Sequence, residues 1–240
     1  MAVGRFSACL PYTLKEEGGF SNDPRDPGGR TMRGITQKTY DELRRRAGAA
    51  PRDVRDIAEG EVSAIYRLGY WNAVGAESLP AGVDLSVFDF AVNSGPARAK
   101  KALAQAAGLS PAQAISRVAE RRLGFLHGLS TWRAFGRGWG ARVARIEAAS
   151  LRMAGAPVAA AAKAAAARGR AAAAQAKGGA LAASAGGLSA HHGFGGAGAG
   201  LAAAALLTLA LLAAYRACRQ RQRAAALEEA TRAGAGAAAA

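Results

Sequence analysis

Glu16, Glu17, Asp23 and Asp26 crowd four carboxylates into the turn-rich stretch KEEGGFSNDPRDPGGRT, and Thr31 follows them, so that Glu17, Asp26 and Thr31 stand in an E-x8-D-x4-T spacing. Two carboxyl groups held on a helix end and an adjoining loop are what cleavage of a glycosidic bond requires. One protonates the leaving oxygen while the other stabilises positive charge or activates water. Asp23 competes with Asp26 for the second role, and it reads equally well as an Asx-turn residue before Pro24. For the first role, helix geometry selects between neighbours. Glu17 prolongs the apolar stripe Phe6, Leu10, Leu14, whereas Glu16 is rotated roughly 100° toward solvent. A carboxyl at the end of an apolar face loses hydration, which disfavours its charged form and suits a proton donor. Gly18 and Gly19 remove side chains beside it and leave room for a bulky ligand to approach the backbone.

The elements that hold these groups can be read from periodicity and breakers. Phe6, Leu10 and Leu14 predict a helix that Gly18-Gly19 stops. Residues 21–36 predict an irregular loop or short hairpin, because Pro24, Pro27, Gly28 and Gly29 break every regular pattern. Helices are expected at 36–46 and through DIAEGEVSAIYRLGYW, with Tyr70 and Trp71 packing in the core at its end. The segment VDLSVFDFAVN at 83–93 predicts a mostly buried helix closed by Ser94-Gly95-Pro96, with Asp89 as a buried, hydrogen-bonded acid. Asn93 and Ser94 could offer amide and hydroxyl contacts to N-acetyl sugars, and a cap or turn explains them equally. Ser110-Pro111-Ala112-Gln113 is a capping box that starts a helix running to about Arg133. Trp132, Phe135 and Trp139 supply late core, and the globular part is expected to end near Met153.

Composition divides the chain of 240 residues. Residues 1–150 carry 22 Lys and Arg against 15 Asp and Glu, and residues 151–240 carry 10 against 2, so both parts of this +15 chain are basic. A basic surface attracts polyanions. Without zinc-ligand spacing, an RNA-type stacking platform or a convincing helix-turn-helix, nucleic acid is set aside in favour of an anionic wall polymer or lipid surface. Cys9 and Cys218 stand at opposite ends and form no disulfide framework. His127 lies on an apolar helix and His191-His192 in a glycine-rich stretch, without the partners of a metal site, so no metal or cofactor is implied. The first residues lack the apolar core and cleavage site of a secretory signal. Residues 154–196 read as an Ala/Gly-rich linker, either a solvated helix or a flexible segment, 197–215 as a single transmembrane helix in preference to a soluble Ala helix or a peripheral membrane helix, and 216–240 as a basic, then Ala-rich tail. Arg216, Arg219, Arg221 and Arg223 after the span place the C-terminus in the cytoplasm by positive-inside bias.

EGGFSNDPRDPGGRTMRGIT resembles the signature of the glycoside hydrolase family 108 lysozymes (N-acetylmuramidases), which usually open E-G-G-Y and continue D-P-x-D-P-G-G-x-T-x-x-G-I-T. AIYRLGYW and FDFAVNSGP resemble later landmarks of that family in the same order, over roughly residues 6–150. Phe20 stands where tyrosine is commoner and keeps the ring without the hydroxyl. The spacing is also similar to the E-x8-D-x5-T arrangement of phage-type lysozymes, with Thr31 one residue early for a role in positioning water. The resemblance puts the catalytic glutamate on Glu17 and implies a mainly α, lysozyme-like fold in residues 1–153, α+β with at most a small hairpin near the site. It implies a peptidoglycan hydrolase acting on the bond between N-acetylmuramic acid and N-acetylglucosamine, and the residues read toward substrate are Gly18, Gly19, Phe20, Asp23, Asn93 and Ser94. Such an enzyme suits lysis by a phage or phage-derived particle, its catalytic part facing the periplasm from the inner membrane. The rivals are a lytic transglycosylase and a non-enzymatic protein that binds the wall and permeabilises the membrane. Self-association through the small residues of the tail is left open.

Overall fold

The computed structural model describes residues 4–22, 29–191 and 197–238, with side chains described in these ranges except at 184–191, 197–203 and 234–238. Asp23 and Asp26 therefore lie outside the described residues. Two units form, residues 1–156 and 157–240.

In the first unit, α1 (Arg5–Glu17) buries Phe6, Cys9 and Thr13. The expected stripe of Phe6, Leu10 and Leu14 is thus rotated, with Leu10 and Leu14 only half-buried. The cause lies in what Phe6 meets: its ring packs edge-on against Trp71 at 5.4 Å and Phe88 at 5.9 Å, while Arg5 pairs with the buried Asp84 at 2.6 Å. Burial pushes the Cys9 thiol up to about 12, which keeps it protonated as a small core group.

Three two-residue strands follow, β1 (Phe20–Ser21), β2 (Thr31–Met32) and β3 (Ile35–Thr36), in a three-stranded antiparallel sheet of order β1-β2-β3. Phe20 faces Met32 and Ser21 faces Thr31, while Thr31 also faces Thr36 and Met32 faces Ile35. Thr36 then caps α2 (Gln37–Arg46), its hydroxyl oxygen accepting from the Thr39 backbone N–H at 3.2 Å. α3 (Glu59–Tyr66) is opened by Glu61, whose carboxylate accepts from the Ala58 N–H at 3.0 Å and from the Tyr40 hydroxyl at 2.7 Å. The chain continues in a wider π-type turn to Trp71, which is fully buried as expected of a core residue.

α4 (Val83–Ser94) is the centre of the unit. Every residue from Val83 to Ala91 is buried, the polar Asp84, Ser86 and Asp89 included. A helix buried on all sides has to be surrounded. α5 (Pro96–Ala104), α6 (Pro111–His127) and α7 (Trp132–Met153) complete the enclosure together with α1. The box at Ser110 forms as its sequence requires, the Gln113 side chain accepting from the Ser110 N–H at 3.1 Å. The helix it opens stops at His127, not near Arg133. Gly128 ends it, and a turn through residues 129–131 starts α7 at Trp132.

The second unit consists of α8 (Val158–His191) and α9 (Ala197–Ala238), which pack along each other. Contact is close because the residues are small: a Cβ placed on Gly179 would sit 3.2 Å from the Ala210 methyl. Most of the linker at 154–196 is helix, one of the two forms expected of it, and among the described residues no helix is long and apolar enough to cross a membrane. The run at 197–215 belongs to a helix that continues unbroken through Arg216, Arg219, Arg221 and Arg223, with Ala210, Ala213 and Ala217 buried. Attachment to the inner membrane through a 197–215 span is accordingly not supported.

Gly82, with φ +81, precedes α4 where an added Cβ would lie 2.0 Å from the Ser150 carbonyl oxygen of α7. Gly48, with φ +64, has open space in the same position. Gly82→Ala should lower stability by about 3 kcal/mol or more, combining left-handed strain with overpacking, and Gly48→Ala by only about 1–2 kcal/mol. Urea titration followed by tryptophan emission measures both, since all three tryptophans lie in the first unit.

Candidate active site

Glu17 is the last residue of α1, and the chain leaves the helix at Gly18 with φ +75 and ψ −162, a conformation few other residues adopt. Across from it the turn between β2 and β3 places Arg33 at φ +49 and Gly34 at φ +73, two successive left-handed residues as a tight hairpin turn demands. Arginine is an uncommon choice there. Its carbonyl accepts from the Tyr66 hydroxyl at 2.6 Å, which fixes the turn. A Cβ on Gly34 would stand 2.7 Å from Glu17 Oε2 and 3.0 Å from the Tyr66 hydroxyl. Bare backbone at Gly34 therefore forms one wall of the carboxyl.

The other wall is charged. Arg142 of α7 donates from Nη2 to Glu17 Oε1 at 2.6 Å and to Asp89 Oδ1 at 2.9 Å, and from Nε to Asp89 Oδ2 at 3.2 Å. Arg122 of α6 donates from Nη1 to Asp89 Oδ2 at 2.6 Å. The chain Glu17–Arg142–Asp89–Arg122 alternates in sign and joins α1, α7, α4 and α6. Asp89 is fully buried: burial pushes its carboxyl up, but the charges of Arg122 and Arg142 outweigh that and hold it below the ordinary carboxylate range. Burial works against the Arg142 charge too, and Asp89 followed by Glu17 more than restores it. Burial first, and then the Glu17 charge, push the Tyr66 and Tyr70 hydroxyls up, so both remain donors at neutral pH.

The apolar setting expected for Glu17 is thus replaced by an arginine contact, because α7 reaches it from 125 residues further along the chain. Glu16 does not face solvent either. Arg145 grips both of its oxygens, at 2.8 and 2.7 Å, and its side chain is 9% exposed against 17% for Glu17.

Of the other predicted residues, Gly18 and Gly19 have nothing among the described residues within 4 Å of an added Cβ. Phe20 is exposed, with the Arg55 guanidinium 4.6 Å from its ring centre. The Thr31 hydroxyl donates to the Gly29 carbonyl at 3.0 Å. Asn93 and Ser94 sit one turn beyond Asp89 at the end of α4, the Ser94 hydroxyl and the Asn93 amide oxygen 3.0 Å apart. Asp89 is the buried acid expected of it. Arg142, Arg122, Tyr66 and Gly34 are additions that only the structure makes. A trace of the two arginines was present in the sequence: each interrupts an otherwise apolar helix face, Arg122 beside Val118, Ala119 and Leu123, and Arg142 beside Val143 and Ile146. Among the described residues no group of His, Cys, Asp and Glu could hold a metal ion.

A family model described as glycosyl hydrolase 108 matches residues 10–95. A solved structure titled as that of Brucella abortus SagA is 35% identical, the alignment covering 64% of this chain and 97% of that one with a TM-score of 0.55. No curated protein matches the chain.

Asp89→Asn leaves the buried Arg122 without a charged partner and Arg142 with Glu17 alone, and should cost about 3–5 kcal/mol. Because the folded Asp89 is held below its unfolded value of about 3.9, its contribution is complete above that pH and is lost as pH falls through the folded value. The stability gap between wild type and Asp89→Asn should therefore be constant from pH 5 to 8 and narrow below about pH 4, as denaturant titrations at each pH would record.

Proposed function

The chain belongs to the glycosyl hydrolase 108 family, and on that premise we propose that its first unit is a lysozyme-type peptidoglycan hydrolase. It cuts the β-1,4 bond between N-acetylmuramic acid and N-acetylglucosamine, with Glu17 as the proton donor. The observation that carries the reading is the asymmetric setting of the Glu17 carboxyl. Oε1 faces an Arg142 N–H at 2.6 Å, and arginine only donates, so a proton on this carboxyl belongs on Oε2. Oε2 has no hydrogen-bond partner among the described residues and lies against the bare backbone of Gly34. From there the proton passes to the glycosidic oxygen as the bond to the sugar breaks.

Asp89 is unsuited to be the second carboxylate, being fully buried and held by two arginines. Asp26 is favoured for that role over Asp23. Thr31 keeps its oxygen lone pairs for a water molecule after donating to Gly29, and the open backbone at Gly18-Gly19, the exposed Phe20 ring and the Asn93-Ser94 end of α4 would contact sugars. The substrate lies outside the cytoplasmic membrane, so the enzyme works on the wall side, in cell-wall lysis.

Glu17→Gln keeps the shape and the Arg142 contact while removing the proton. It should reduce the release of soluble fragments from purified peptidoglycan by about 10²-fold or more without changing the unfolding midpoint by much. Full clearing by this variant would refute the role of Glu17. The wild-type fragments should carry the mass of an added water; a 1,6-anhydro product would identify a transglycosylase. Asp26→Asn should impair turnover and Asp23→Asn should not, and equal activity of both would leave neither as the partner.

A further inference from the structure

Three helices carry the buried charges, and one turn further along each of them the surface changes character. Asn93 follows Asp89 by four positions on α4, Phe125 follows Arg122 by three on α6, and Trp139 precedes Arg142 by three on the antiparallel α7. These residues line an open groove of about 450 Å³ together with Ser94, Arg98 and Leu129. A helical turn advances about 5.4 Å, roughly the length of a pyranose ring, so the groove lies about one sugar from the charge network that holds Glu17.

Its chemistry is mixed in a particular way. Trp139 is half-buried, its ring 5.7 Å from the exposed Phe135 and 6.2 Å from Trp132, and its indole N–H makes no hydrogen bond among the described residues. Phe125 presents a second ring, with the Arg98 guanidinium 4.5 Å from its centre. Arg98 donates from Nη1 to the Ser94 carbonyl at 2.9 Å, while its Nε and Nη2 have no hydrogen-bond partner among the described residues. A fixed, exposed guanidinium is suited to a carboxylate. Ring faces suit the C–H face of a sugar, and the Asn93 amide and Trp139 N–H suit an acetamido group.

We infer that this groove is a glycan subsite for the muramoyl residue, with Trp139 and Phe125 against the sugar and Arg98 on a carboxylate of its peptide stem. The inference rests on the proposed peptidoglycan hydrolase activity and names the sugar bound next to the cleavage site. In intact wall the lactyl carboxyl of muramic acid is tied up as an amide, so the charge that Arg98 meets comes from the stem.

The test uses the full chain carrying Glu17→Gln, so that ligand is bound without turnover, and follows tryptophan emission and calorimetry. The probes are a stem-bearing peptidoglycan tetrasaccharide, the same glycan with its stem carboxylates converted to amides, and chitotetraose. Arg98→Gln should weaken the stem-bearing glycan about tenfold, in line with loss of one charge-assisted contact, and leave chitotetraose unchanged. Trp139→Ala should weaken all three, and Trp139→Phe should restore most of the loss while abolishing the emission change. Unchanged affinities in Trp139→Ala would overturn the subsite, and equal binding with and without stem carboxylates would overturn the part given to Arg98. The two readings fail separately. Should Glu17→Gln still digest wall while Trp139→Ala loses glycan, the proton donor is misassigned and the subsite stands; should Glu17→Gln be inactive and the groove variants bind normally, the reverse holds.

Discussion

The hydrogen-bonded contact between Arg142 and Asp89 is the constraint on which the first unit is built. Two charges deep in a helical core gain little net stability from each other, since desolvation offsets most of the attraction. What they hold together is three helices: Arg142 on α7 reaches both oxygens of Asp89 on α4, and Arg122 on α6 reaches one of them. Among the described residues two nitrogens of Arg122, Nε and Nη2, have no hydrogen-bond partner, and the Phe90 ring 5.7 Å away is a partial substitute. Glu17 is attached to this frame by the remaining reach of Arg142. Its position is therefore decided by residues far away in sequence, and the segment 10–95 that matches the family contains both acids but neither arginine.

How much was legible in the sequence follows from the range of each interaction. Short-range signals succeed: the box at Ser110, the helix start near Thr36, the stop at Gly18 and the buried character of 83–93 all depend on neighbours within a turn or two. Helix phase singles out Glu17, but the apolar stripe is only part of its setting. The apolar stripe that pointed to it is rotated to Phe6, Cys9 and Thr13, a shift set by the rings of Trp71 and Phe88, which no local pattern encodes. Thr13 and Glu17 are one turn apart on that rotated face, so the same residue was reached along a neighbouring line. The arginine wall was out of reach, because pairing partners from different helices cannot be assigned from spacing alone.

The second unit illustrates the limits of summed hydropathy. Alanine scores as apolar whether it faces lipid or another helix, and a run of alanines lets two helix backbones approach until Gly179 and Ala210 nearly touch. Helix pairing of this kind needs small residues at regular intervals, not high apolarity on every face. The leucines 207, 209, 211 and 212 remain exposed while Ala210 and Ala213 are buried, so the small side chains mark the inner face of α9.

Glu16 and Glu17 show how two adjacent carboxylates acquire different chemistry from one partner helix. Arg142 and Arg145 are three residues apart on α7 and meet consecutive residues of α1. Arg145 engages both oxygens of Glu16, a fork-to-fork pairing that leaves no oxygen for a proton or a substrate. Arg142 is divided between two acids and reaches only Oε1 of Glu17, so the second oxygen is left beside Gly34. Asp89 thus acts on the site through a contact it never makes: by drawing two of the Arg142 hydrogen bonds into the core, it keeps the arginine from closing around Glu17 as Arg145 closes around Glu16.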